Sequence, residues 1–122
     1  MLKKILIILA ILAGVALVAM LPNNGSRMGA DGYQFGTPQY QKDKIEIHVV
    51  TYDSRASFSK SAKQYGIKDE RVMAFSVLSA PNFDKCTVHM VDPKVEYRPE
   101  FIGHEFTHCV YGQWHTDNQS FK

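Results

Sequence analysis

The order of apolar and polar residues divides the chain into a hydrophobic start, a polar stretch and an alternating remainder. Residues 5–21 carry no charged or strongly polar side chain and follow Lys3 and Lys4. As a helix they would span about 26 Å at roughly 1.5 Å per residue, close to a hydrocarbon core of about 30 Å. This pattern predicts that residues 1–21 are an uncleaved signal anchor or a cleaved signal peptide. In either case the rest of the chain lies outside the cytoplasm.

Residues 22–43 are rich in Asn, Gly, Gln, Ser and Pro, a composition typical of linkers. The aromatic residues Tyr33, Phe35 and Tyr40 interrupt it. We therefore predict a linker whose second half packs on the domain that follows.

A folded domain is predicted over residues 44–122. Its first strand is indicated by the alternation of apolar and polar side chains in residues 45–50. A second strand is predicted around residues 72–78, where Met73, Phe75 and Val77 fall on one face, and a third at residues 86–91, closed by Asp92-Pro93.

Two helices are predicted between and after these strands. Ser54 is a suitable N-cap for the first, and Gly66 a suitable stop. The second should begin at Pro99, since proline suits the first helical position, and end at Gly112. Strands and helices in this order indicate an α+β fold.

The charge balance excludes one class of function. The whole chain has a formal net charge of +2, and two of its fourteen basic residues are Lys3 and Lys4. The remainder therefore has twelve basic and twelve acidic residues, and its net charge is about zero. With no basic stripe, the composition argues against nucleic-acid binding.

The chain has two cysteines, Cys86 and Cys109. In a reducing cytosol they would be two buried thiols. Outside the cytoplasm a pair in so small a domain predicts a disulfide. Such a bond would join the third strand to the second helix.

The second helix contains the motif His104-Glu105-Phe106-Thr107-His108. Histidines four residues apart lie one above the other on a helix, so that both can bind one metal ion. The glutamate between them can act as a general base on water at that ion. The motif predicts a Zn²⁺ site, although imidazoles also bind other first-row metal ions.

A catalytic zinc site usually has a third protein ligand. His115 is the first candidate, because Gly112 allows the chain to leave the helix and turn back. Asp117 is the next candidate and Glu100 a weaker one.

The stretch from Gly103 to His115 resembles the zincin superfamily of metallopeptidases. A glycine followed by a third histidine is shared with metzincins, although here one more residue precedes Gly112. The ending G-H-E-x-x-H-C-x-x-G-x-W-H is similar to that of small phage- and plasmid-type metallopeptidases, which also carry an upstream strand cysteine that Cys86 would match.

This resemblance implies a minimal zincin-like domain with a small, mostly antiparallel sheet packed against a helix and the motif helix. It also implies that residues 86–91 form the edge strand that pairs with an extended peptide. An oxyanion donor is needed as well, and Tyr111 and His89 are both candidates. His89 is otherwise expected on a sheet face rather than as a metal ligand.

Three functions stay open at this stage. The first is a zinc peptidase that acts on peptides or proteins at the periplasmic side of the inner membrane, or is secreted. The second is a membrane-tethered binding or structural module that a zinc site stabilises without catalysis. The third is a small lysis or envelope protein that depends mainly on its membrane segment.

Overall fold

The structure, a computed structural model, describes residues 27–115. The predicted N-terminal segment, residues 1–21, lies outside the described residues. Within the described part no helix combines the length and the apolar character that a membrane crossing requires. In chain order the elements are β1 (Glu46–Tyr52), α1 (Arg55–Gln64), β2 (Ala74–Leu78), β3 (Lys85–Val91) and α2 (Pro99–Tyr111).

Helix α1 begins and ends where its sequence predicts. The side chain of Ser54 accepts a hydrogen bond from the Ser57 amide, which satisfies one of the free N–H groups of the first turn. Gly66 follows the helix with φ +82°. This left-handed conformation is readily adopted by glycine, so the chain can turn there towards β2.

Helix α2 also has the predicted limits. Pro99 occupies the first turn, where its missing N–H costs nothing, and Glu100 adds a favourable charge at the positive end of the helix. Gly112 ends the helix with φ +67°, and its amide donates to the carbonyl of His108.

The three strands form a mixed sheet in the order β1-β3-β2. Strand β3 is parallel to β1 over seven residue pairs and antiparallel to β2 over five. The expectation of a mostly antiparallel sheet was therefore wrong, whereas the α+β class is confirmed. The cause is the crossover through α1, which places β2 at the far edge. The following hairpin then returns β3 into the space beside β1.

This strand order also corrects the expected position of the substrate edge. Strand β3 (Lys85–Val91) has a partner on both sides, so its backbone groups are already paired. It cannot be the edge strand that the sequence predicted. Strand β2 is at an edge and packs against α2.

Each face of the sheet carries its own apolar core. On one face, α1 contributes Phe58 and Ala62, which pack with Phe75 and Val91. On the opposite face, Cys86 and Val88 of β3 pack against Cys109 of α2. Successive side chains of a strand point to opposite faces, so β3 serves both cores.

The predicted disulfide is present between Cys86 and Cys109, whose Cα atoms are 5.5 Å apart. Both cysteines are fully buried. The bond fixes α2 to the central strand. A disulfide of this kind indicates an extracytoplasmic protein.

Residues 27–43, here called the arm, run along the C-terminal end of α2. The amides of Lys42 and Gln39 donate to the carbonyls of Val110 and Tyr111, and that of Gly36 donates to the carbonyl of Trp114. Carbonyls in the last turn of a helix have no partner within the helix, so the arm satisfies groups that would otherwise need water. The prediction that the second half of the linker packs on the domain is confirmed.

Candidate metal centre

Helix α2 brings the two motif histidines together. The i, i+4 spacing places the Nε2 atoms of His104 and His108 3.2 Å apart. Both residues are buried, with 9% of their surface exposed. The helix face that carries the imidazoles is therefore turned inwards.

His115 completes the group after the turn at Gly112. Its Nε2 atom lies 3.1 Å from that of His108 and 2.9 Å from that of His104. Trp114 is buried and packs against all three imidazoles, with ring centroids 4.5–5.2 Å away. His104, His108 and His115 form a group that could hold a metal ion.

The Nδ1 atoms of two of the histidines each form a hydrogen bond with an acceptor. Nδ1 of His104 lies 2.7 Å from Oδ2 of Asp31, and Nδ1 of His108 lies 2.8 Å from the carbonyl oxygen of Gly112. A carboxylate and a carbonyl can only accept, so both Nδ1 atoms carry the proton. In the neutral rings both Nε2 atoms then present lone pairs.

The positions of the three Nε2 atoms fit a bound metal ion. Two lone pairs 3.2 Å apart repel each other unless a positive charge lies between them. Three nitrogens at about 2.0–2.1 Å from one tetrahedral zinc ion would be on the order of 3.3 Å from each other, close to the spacings here. The protonated Nδ1 atoms, each with a hydrogen-bond acceptor, are the usual outer partners of metal-bound histidines.

Burial also favours the unprotonated rings. The pKa of His115 is lowered to about 4, first by burial and then by the neighbouring His108 and His104. Burial likewise lowers the pKa of His108, against the raising effect of its bond to Gly112. At neutral pH the imidazoles of His108 and His115 are therefore in the form that binds metals.

Glu105 lies beside the histidines and reaches β2. Its Oε2 accepts a hydrogen bond of 2.7 Å from the hydroxyl of Ser76. Burial raises the pKa of the Glu105 carboxyl to about 7, although the bonds to Ser76 act in the opposite direction. The carboxyl is thus fixed in orientation and titrates near neutral pH.

A cavity of about 250 Å³ opens at this group. The three histidines and Glu105 supply most of its polar lining, and the rest of the lining is mainly apolar. The wall is formed by Tyr33, Ile67, Arg71, Val72, Met73, Ala74, Phe75 and Phe101. A cavity with an apolar wall and a few converging polar groups is typical of a ligand site.

Tyr33 connects the arm to this cavity. Its ring stacks on His115 at 4.4 Å and meets His104 edge-on at 4.6 Å. The pKa of its hydroxyl is raised by burial first, and then by the negative charges of Asp31 and Glu105. The hydroxyl therefore stays protonated and remains a hydrogen-bond donor.

The other predicted site residues lie elsewhere. The ring of Tyr111 packs edge-on against Phe35 at 5.1 Å. His89 is on the α1 face of the sheet, stacked on Phe75 and bonded to the hydroxyl of Tyr52, as expected of a sheet-face residue. Glu100 is paired with Arg98. Asp117 lies outside the described residues.

Three residues of the site were not predicted from the sequence, namely Asp31, Tyr33 and Ser76. The first two belong to a segment whose composition indicates a linker. Only the interruption of that segment by aromatics suggested a contact, and nothing in it pointed to the metal centre. Ser76 faces α2 because strand residues alternate, but its pairing with Glu105 depends on how the helix packs on β2.

The comparisons with known proteins add no family to this picture. No protein-family model, curated protein or solved structure matched the chain.

Proposed function

We propose that the protein is a zinc-dependent peptidase that hydrolyses peptide bonds outside the cytoplasm. One observation carries the proposal: three Nε2 atoms converge within 2.9–3.2 Å of each other in the lining of a cavity that Glu105 also lines. The resemblance of residues 103–115 to zincins supports the same chemistry.

His104, His108 and His115 would hold the ion. A bound Zn²⁺ supplies Lewis acidity, because it polarises a carbonyl and lowers the pKa of water towards about 7. The tryptophan and tyrosine rings around the histidines keep bulk water from the outer side of the group. Electrostatic interactions are stronger in such a site than in water.

Glu105 is the proposed general base. It would take a proton from the attacking water and return it to the leaving amine. A pKa of about 7 suits both roles at neutral pH. The bond from Ser76 keeps the carboxylate oriented towards the cavity.

The edge of β2 is the proposed place for the peptide backbone. Ala74 and Phe75 of β2 line the cavity, together with Met73 just before the strand. An extended peptide could add to β2 through main-chain hydrogen bonds, with alternate side chains entering the apolar cavity. In this proposal β2 is the strand that pairs with the peptide, a role that the resemblance to zincins gave to residues 86–91.

Tyr33 is our proposed oxyanion donor. Tyr111 was the oxyanion donor predicted from the sequence, but its ring packs on Phe35. Tyr33, in contrast, forms part of the cavity wall. A protonated phenol beside the metal could donate to the oxygen that becomes negative during hydrolysis.

The proposed location is the periplasmic side of the inner membrane, or the periplasm or medium if residues 1–21 are removed. The Cys86–Cys109 disulfide supports a position outside the cytoplasm. The basic start and apolar run of residues 1–21 support export by that segment.

The test is Glu105→Gln in the full chain with stoichiometric zinc. Hydrolysis of unfolded protein substrates should fall by at least about a hundredfold, in line with the usual contribution of general base catalysis, while zinc content stays unchanged. Glu100→Gln is the matched control, because Glu100 is on the same helix but bonds to Arg98. Equal turnover by wild type and Glu105→Gln would exclude the proposed mechanism.

A second candidate function is a metal-stabilised binding or structural module. It is favoured by the way the centre joins the arm, α2 and the segment after Gly112 through Asp31, His104 and His115. In that case His104→Ala should lower the melting temperature, and no hydrolysis should be detected with the zinc-loaded wild-type protein.

A further inference from the structure

We infer that Asp31 is a positioning residue of the metal centre. It would hold His104 in the tautomer and orientation that direct its Nε2 lone pair at the ion. This inference rests on the metal site of the proposed function, and it assigns a role to a residue 73 positions before its partner.

The geometry around Asp31 is that of a fixed carboxylate. Its Oδ2 accepts from Nδ1 of His104 at 2.7 Å, and its Oδ1 accepts from the amide of Tyr33 at 3.0 Å. The side chains of Asp31 and His104 are only 11% and 8% exposed. The first bond is therefore shielded from water and stronger than a surface contact.

The chemical consequence concerns a single proton. A neutral imidazole has one N–H, and the carboxylate requires it on Nδ1. Nε2 of His104 is then free to bind a metal ion. The negative charge of the carboxylate beside the ring also favours a cation at Nε2.

The tautomer of His108 is fixed in the same way, but by a backbone group. Its Nδ1 donates to the backbone carbonyl of Gly112, at 2.8 Å. The two motif histidines are thus oriented by separate groups, one a side chain of the arm and one the backbone at the end of α2. A substitution of Asp31 should change His104 and leave His108 unchanged.

A simpler interpretation is that Asp31 only fastens the arm to the domain. The arm has other attachments, however, since amides of Gly36, Gln39 and Lys42 donate to carbonyls near the end of α2 and beyond it. Tyr33 also packs on Trp114 and His115. Loss of one hydrogen bond should therefore not release the arm.

Asp31→Asn is the informative variant. The carboxylate accepts from His104 and Tyr33 at two different oxygens, whereas an amide has an acceptor at only one of these two positions. In the full-length protein we expect zinc to bind 10–100 times more weakly by competition with a chromogenic chelator. The visible spectrum of the Co²⁺-substituted protein should also change.

Asp53→Asn is the matched control. Asp53 also accepts a side-chain hydrogen bond, from Ser57 at the start of α1, and it is on no element of the metal centre. Its zinc affinity and Co²⁺ spectrum should equal those of wild type. A zinc affinity of folded Asp31→Asn within threefold of wild type would refute the inference.

A second measurement does not depend on the folding of any variant. Long-range ¹H–¹⁵N correlation spectra of the metal-free wild-type protein report which ring nitrogen carries the proton. We expect Nδ1–H for both His104 and His108. Nε2–H at His104 would contradict the inference directly.

The two proposals fail in different ways. A wild-type protein that binds no zinc would exclude the metal site of the proposed function, and the tautomer of His104 could still be read. Equal zinc affinities of the wild-type protein and Asp31→Asn would exclude only the role of Asp31.

Discussion

At the scale of single residues, the protonation of buried histidines follows from what each ring faces. His104 and His108 meet acceptors at Nδ1, which leaves Nε2 for a metal ion. His89 has its Nδ1 2.8 Å from the hydroxyl of Tyr52, in a buried site on the other face of the sheet. One residue type therefore serves a candidate metal centre and an apolar core within the same small domain.

His89 makes the stability of the fold sensitive to acid. Burial lowers its pKa below the ordinary value of 6.5, so the unfolded chain binds the proton first. This contribution to stability is complete above pH 6.5 and is lost as the pH falls towards the folded pKa. Between pH 7.5 and pH 5 the free energy of unfolding should decrease less in His89→Gln than in wild type. Denaturant unfolding at the two pH values measures this difference. An equal decrease would mean that His89 is not the group responsible.

At the scale of elements, local patterns predicted what lies within one helix or strand. The limits of α2 and the pairing of His104 with His108 follow from the proline and glycine at its ends and from the period of the helix. The direction of β1 relative to β3 does not follow from such patterns, because either direction buries the same face. The contact between Asp31 and His104 has no periodic signal at all, since it depends on the path of the arm over the finished domain.

Gly112 ends α2 and allows the chain to turn so that His115, the proposed third ligand, reaches the other two histidines. An added Cβ would lie 2.6 Å from Oε1 of Gln39 and 2.7 Å from Cε1 of Tyr40, and the backbone has φ +67° and ψ −136°. Gly112→Ala should lower the free energy of unfolding by about 1–3 kcal/mol and weaken zinc binding by displacing His115. Chemical denaturation and chelator competition measure the two effects.

Gly103→Ala is the control for this substitution. Gly103 is inside α2, and apart from its sequence neighbours and the backbone of its own helix, an added Cβ would meet no atom within 4 Å. Alanine should therefore stabilise the helix by about 0.5–1 kcal/mol without changing zinc affinity. Similar losses of stability in both variants would argue against a special role of the turn at Gly112.

At the scale of the whole molecule, distant parts of the chain meet at the candidate metal centre. Asp31 and Tyr33 come from the arm, His104 from α2 and His115 from the segment after it. The disulfide holds α2 against the sheet independently of any metal. A metal ion bound there would therefore stabilise a different part of the fold from the disulfide.

Metal removal should consequently destabilise the domain without reducing the disulfide. Zinc at about 100 times its dissociation constant stabilises the folded state by about 2.7 kcal/mol. For a domain of this size that corresponds to a melting temperature on the order of 10–20 °C higher. Calorimetry with zinc and with EDTA, in buffer without reductant, measures the difference. The shift should vanish in His115→Ala, and its absence in wild type would contradict a tightly held ion.

The contact of the arm with the metal centre also determines when the protein acquires its site during biosynthesis. Asp31 leaves the ribosome long before His115, which is 84 positions later in the chain. A nascent or partly exported polypeptide thus has the carboxylate but not the full set of imidazoles. If the proposed activity is present, it begins only after synthesis has passed the last proposed ligand, His115.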